Sequence, residues 1–107
     1  AMASHMFKTF VVSEVLKSHM NAGRDPRNIS FYRDSQKREI DLLIQDGKVM
    51  HPVEIKARAN VRAEAVRNFE VLSSFTNYEV GFGNVICQTE TPYMVSRDVQ
   101  AIPIWAI

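Results

Sequence analysis

Phe31–Lys56 reads FYRDSQKREIDLLIQDGKVMHPVEIK. At its centre, Glu39–Gln45 (EIDLLIQ) is a run of β-formers, and Asp46-Gly47 is a strong hairpin-turn signal. Val49–Ala57 (VMHPVEIKA) is the return strand. Pro52 inside it predicts a bulge or an edge position, because proline has no N–H to give a ladder. Upstream, Ile29–Arg33 (ISFYR) is a further strand, closed by a turn over Asp34–Lys37. Side chains alternate faces along a strand. Val53, Ile55 and Ala57 therefore share one side, and Glu54 and Lys56 share the other. By the same rule Ile40, Leu42 and Ile44 face one way, and Asp41 and Leu43 the other. Asp41 is the anomaly. So apolar a run is expected to be covered on both faces, where an isolated carboxylate is expensive. A cation, a hydrogen-bond network or a metal must offset that cost.

Working outward, Phe7–Met20 has helical periodicity, with Phe7, Phe10, Val11, Glu14 and Ser18 on one stripe and Val15 beside it. Asn21-Ala22-Gly23 stops that helix, and Arg24–Asn28 is a loop. A second helix is expected over Val61–Phe75, its stripe being Val61, Ala65, Phe69, Leu72 and Phe75. Strands come next at Tyr78–Gln88 and Ala101–Trp105. The order α-β-β-β-α-β-β predicts an α/β domain: a mixed central sheet with helices packed on it.

Composition sets the outer limits. The chain has 107 residues, one domain's worth, with a formal net charge of +1 that neither demands nor excludes nucleic acid. Cys87 is the single cysteine, so no internal disulfide forms, and a cytoplasmic setting is expected. It reads as a buried small hydrophobe rather than a nucleophile. No apolar run approaches the roughly 18–20 residues that cross a bilayer, so no membrane partner is expected. Residues 1–6 (AMASHM) read as an expression-tag remnant, which leaves 7–107 as one domain. No Walker-type phosphate loop is present.

Three carboxylates and a lysine thus fall at inward-leaning positions: Glu14 on the first helix, Asp41 on one strand, and Glu54 with Lys56 on the next. Carboxylate oxygens with bound water suit a hard cation such as Mg²⁺. Such an ion acidifies a water and stabilises charge on a phosphoryl oxygen. Lys56 can neutralise developing negative charge.

Asp41, with Glu54-Ile55-Lys56 thirteen positions later, resembles the D…ExK signature of the PD-(D/E)XK (restriction-endonuclease-like) superfamily. Ile40 stands where the superfamily's name has proline, and Glu14 matches the extra helical acid of many members. The whole of Phe7–Ile107 is similar to the domain that comes after the ATPase module in a large prokaryotic family of AAA+ ATP-binding proteins. The resemblance implies an αβββαβ core. It implies a metal site of Asp41, Glu54 and Glu14, using Mg²⁺ or Mn²⁺, with Lys56 as fourth catalytic residue. It also implies a nuclease acting on DNA ahead of RNA, an AAA+ module in cis, and a homodimer as a plausible assembly. On this reading Asp41→Ala or Lys56→Ala abolishes cleavage and leaves the fold intact.

Alternatives stand beside this. The same fold serves as a catalytically inactive module for nucleic-acid binding or assembly, or as a structural domain whose acids are satisfied by lysines and arginines. Arg58, Arg62 and Arg67 are candidate contacts to a nucleic-acid backbone, or simply a solvated face. Glu14 has a bland reading as a surface acid paired with Lys17 or Ser18. Phe31 and Tyr32 are read as core rather than base-stacking residues. His19 is read as a helix-surface residue.

Overall fold

Residues 3–107 are described by a computed structural model, with the hairpin at its centre. The strands are β1 (Ile29–Arg33), β2 (Glu39–Asp46), β3 (Val49–Lys56), β4 (Glu79–Val80), β5 (Gly83–Cys87), β6 (Tyr93–Ser96) and β7 (Val99–Pro103). They form one mixed sheet in the order β1-β2-β3-β5-β7-β6, with β4 also pairing to β3. β1–β2, β2–β3 and β6–β7 are antiparallel, and β5 is parallel to both β3 and β7. The expected α/β class, mixed sheet included, is what is found. The β6–β7 hairpin is an addition to the expected order: Tyr93–Ser96 is too short and too half-exposed to stand out as a strand.

The helix α1 spans Ser4–Asn21. Residues 4–6 of the expected tag remnant are therefore helical, while Ala1 and Met2 lie outside the described residues. The N-cap, Ala3, offers no side-chain hydrogen bond, so α1 is held by packing rather than by capping. Phe7, Val11 and Val15 are buried against Leu42, Val53, Ile55 and Ile86. Each such side chain stabilises by about 1.5–3 kcal/mol. Phe10 is 44% exposed, so the buried stripe is 7, 11, 15, 19 rather than one centred on Phe10 and Glu14. His19 completes that stripe. It is buried, and its Nε2 lies 2.9 Å from the Asp25 carbonyl oxygen, so it is no surface residue.

The second expected helix is a 3-10 segment, Ala63–Ser74, interrupted at Val66 (φ −113°, ψ 15°). The kink divides it between two clusters. Val66 joins Val61, Val85, Cys87, Val99 and Ala101, while Leu72 joins Ile40, Leu43 and Met50. It covers the sheet face opposite α1, as alternation requires: Ile86 packs with α1, and its neighbours Val85 and Cys87 with the 3-10 segment. Cys87 is buried as expected, and burial pushes its thiol pKa up. Among the described residues, no helix is long and apolar enough to cross a membrane.

Pro52 is buried in a central strand and paired with Leu43, so it does not mark an edge. The disturbance lies in its neighbour. β4 pairs with β3 as Met50↔Val80 and β5 as Val53↔Asn84, so one extra residue is accommodated around Gly81-Phe82. This is where Pro52 has no N–H to offer. Gly81 fits because it has no side chain: a Cβ there would lie 2.5 Å from the His51 ring and 2.6 Å from Val49 Cγ1. The ring is itself tied to the Phe82 carbonyl at 3.0 Å. Gly81→Ala is therefore expected to lower stability by about 1–3 kcal/mol, as overpacking does. Urea unfolding of the variant checks this, and an unchanged midpoint would show that the ring moves freely.

Candidate active site

Strand pairing breaks where the acids sit. On the β1 side, the register runs Ser30↔Leu43 and then Tyr32↔Ile40. Two steps along β1 thus match three along β2, which places an extra residue in β2 around Asp41-Leu42. Such a β-bulge re-aims a side chain and bends its strand. Its effect is visible in the packing. Ile40 lies with Leu43 on the 3-10 face, while Leu42 and Ile44 face α1. The simple alternation that put Ile40 beside Leu42 and Ile44 is thereby corrected. On the other side, β2–β3 pairing runs only as far as Leu42↔Val53, whereas β3 goes on pairing with β5 to Lys56↔Cys87. Asp41 and Glu54 stand in the notch where β2 leaves β3.

Their carboxylates take up the backbone groups that the broken ladder releases. Ile55 N–H donates to Asp41 Oδ2 at 2.9 Å, and Asp41 N–H donates to Glu54 Oε1 at 3.3 Å. The two side chains are only 11% and 12% exposed. Burial, and then the Asp41 charge beside it, push the Glu54 pKa up to about 7. Lys56 Nζ is 3.6 Å from Glu54 Oε2, on the strand face expected for it.

Glu14 does not join this pair. Its carboxylate lies 3.6 Å from Lys17, the bland alternative, because the rotated stripe of α1 leaves it on the outer shoulder. Among the described residues, no three His, Cys, Asp or Glu side chains gather into a metal-holding group. The helix contributes Lys8 instead: its Nζ donates to Asp41 Oδ1 at 2.9 Å. That hydrogen bond raises the Lys8 pKa. Sequence reasoning passed over Lys8. The available signal was its place next to Phe7 and four before the half-buried Val12, on the flank of the 7/11/15/19 stripe.

The expected backbone-binding arginines do not share one cleft. Arg58 is exposed beside Lys56, in a cleft of about 290 Å³ also lined by Ser4 and Ala57. Arg67, on the 3-10 segment, lines a separate polar cleft of about 660 Å³ with Lys37, Arg38, Asn68 and Glu70. Arg62 is exposed just before that segment. Beside Asp41 itself is a cleft of about 300 Å³, lined by Lys8, Phe31, Tyr32, Arg33, Glu39 and Ile40. Phe31 is 70% exposed there and is not core, whereas Tyr32 is half-buried against Phe75.

Two carboxylates are enough for Mg²⁺, which keeps several waters and commonly takes only one or two protein carboxylates. Burial, and then the Asp41 charge, raise the Glu54 pKa, and a cation in the notch favours its ionised form. The donor set therefore fits a divalent ion with two protein carboxylates, and Lys8 is the feature it must contend with.

No curated protein and no solved structure matches the chain. A family match covers residues 3–107, nearly the whole length. The protein belongs to the family described as a domain of unknown function, DUF4143.

Proposed function

We propose that this domain is a divalent-metal-dependent, nuclease-type phosphodiesterase of PD-(D/E)XK character, acting on DNA or RNA alongside an AAA+ ATPase module in cis. One observation carries the reading: two nearly buried carboxylates, Asp41 and Glu54, meet in a strand notch one pleat from Lys56. Burial and the neighbouring Asp41 charge raise the cost of ionising Glu54, the kind of perturbation that clusters at functional sites. The family's members are C-terminal domains of AAA-ATPase-associated proteins, which supports the partnership.

In this reading Asp41 and Glu54 hold Mg²⁺ or Mn²⁺. The bound ion supplies an acidified water and charge stabilisation on the phosphoryl oxygen. The ammonium of Lys56 faces the same notch and neutralises charge that develops on the scissile group. Arg58, on the cleft beside Lys56, is the arginine best placed to position a backbone phosphate. Glu14 is left out of the ligand set.

The test is cleavage of plasmid DNA and of single-stranded RNA, with Mg²⁺ or Mn²⁺, by the wild type and by Lys56→Ala. Metal-dependent cleavage that falls by about 10²-fold or more in the variant is expected, the loss typical of a missing charge-stabilising donor. Cleavage that persists unchanged in the variant would remove Lys56 from the chemistry. The second reading, a catalytically inactive module for nucleic-acid binding or assembly, is favoured by the Lys8–Asp41 ion pair, which satisfies Asp41 without metal. Nucleic-acid binding without cleavage under any of these conditions would select it.

A further inference from the structure

We propose that Lys8 is an internal stand-in cation: its ammonium is held on Asp41 Oδ1, and a divalent ion in the notch must compete with that charge for the carboxylate. This rests on the metal reading of the site. Asp41 has two oxygens, and both are engaged. Oδ2 accepts from Ile55 N–H, a bond within the fold that an ion cannot replace, and Oδ1 accepts from Lys8 at 2.9 Å. The second acid is less occupied, since Lys56 lies 3.6 Å from Glu54 Oε2. Charge favours a displacement. With both acids ionised, two carboxylates and two ammonium groups balance, so a divalent ion adds two positive charges, and the departure of one ammonium removes half of that excess. Like charges this close repel strongly at the low effective dielectric of a half-buried site.

Lys8 is the one that leaves. Its side chain is 47% exposed against 35% for Lys56. It projects from the flank of α1 on a flexible stem, and its charge is readily taken up by water. Once displaced, it stands at the rim of the cleft that it shares with Phe31 and Arg33. There its charge is free to meet an anionic group on a substrate.

The experiment is a Mn²⁺ titration, monitored by the electron paramagnetic resonance signal of the free ion and by thermal unfolding, on wild type, Lys8→Met and Lys8→Arg. Methionine keeps the stem and removes the charge; arginine keeps the charge and tightens the pairing. Lys8→Met is expected to bind Mn²⁺ about tenfold or more tightly than wild type, because the competing cation is gone. Lys8→Arg is expected to bind no more tightly than wild type. Should Lys8→Met be unfolded without metal, its rescue by Mn²⁺ at concentrations that leave Lys8→Arg unaffected is the same result in another form, and absence of rescue overturns the proposal. Equal binding by wild type and Lys8→Met overturns the role of Lys8 and leaves the metal reading standing. No binding by any of the three, well into the millimolar range, overturns both.

Discussion

Asp41→Ala is expected to lower stability by about 1–3 kcal/mol, the cost of leaving a buried backbone donor unsatisfied. It is also expected to abolish any gain in melting temperature from Mg²⁺ or Mn²⁺. The first effect comes from Ile55, a buried residue of a central strand whose N–H donates to Asp41 Oδ2. Without the carboxylate, β2 has no group to offer there, because its bulge has carried the backbone away from β3. Lys8 adds little to the loss, being half in water already. The expectation that this substitution leaves the fold intact is compatible with this cost, and the hydrogen bond from Ile55 shows where the cost arises. Asp41→Asn separates the two roles. Its amide oxygen still accepts from Ile55, so stability is expected to stay within about 1 kcal/mol of wild type, while the charge needed for a cation is gone. Thermal melts of both variants across a Mg²⁺ and Mn²⁺ series check this. A metal-dependent rise that survives in Asp41→Asn would take Asp41 out of the ligand set.

The second large effect is on pH. Glu54 has a folded-state pKa of about 7, above its ordinary value of 4.5. Between these values the folded chain keeps a proton that the unfolded chain has lost. Stability is therefore highest below about pH 4.5 as far as this group is concerned, falls as pH rises through 7, and levels off above. Because solvent and the two lysines at the mouth of the notch screen part of this shift, the loss is on the order of 1–2 kcal/mol. Glu54→Gln cannot ionise yet still accepts from Asp41 N–H, so it should flatten this part of the profile and be the more stable protein at pH 8. A divalent ion should act in the same direction on wild type by favouring the ionised form, so its stabilising effect should grow from pH 5 to pH 8. Urea midpoints at pH 5, 6, 7 and 8, with and without Mg²⁺, measure both. A wild-type profile parallel to that of Glu54→Gln would mean that Glu54 ionises normally in the folded state.

Much of this was legible in the chain itself. The Asp46-Gly47 turn and the flanking β-formers determine the β2–β3 hairpin, because turn geometry and side-chain alternation are local. That alternation places Val53 and Ile55 in the core, and Glu54 with Lys56 on the other face. Asp41 stood out as a charge in an apolar run, and it is indeed nearly buried. The class of fold comes from the order of the elements.

The tertiary structure alone decided the relations between elements. The rotation of α1 on the sheet selects the 7/11/15/19 stripe over one centred on Phe10 and Glu14. Taken over its whole length α1 has little net hydrophobic asymmetry, so packing against the sheet selects the buried face. That choice sends Glu14 to Lys17 and brings Lys8 to Asp41. The bulge at Asp41-Leu42 is likewise invisible in the chain. It is a mismatch of register between β1 and β2, and register belongs to a pair of strands rather than to either one. From that mismatch come the notch, the hydrogen bond from Ile55 and the raised pKa of Glu54. The sequence determined which residues carry charge into the sheet; the packing of α1 and the slip between two strands decided which of them meet.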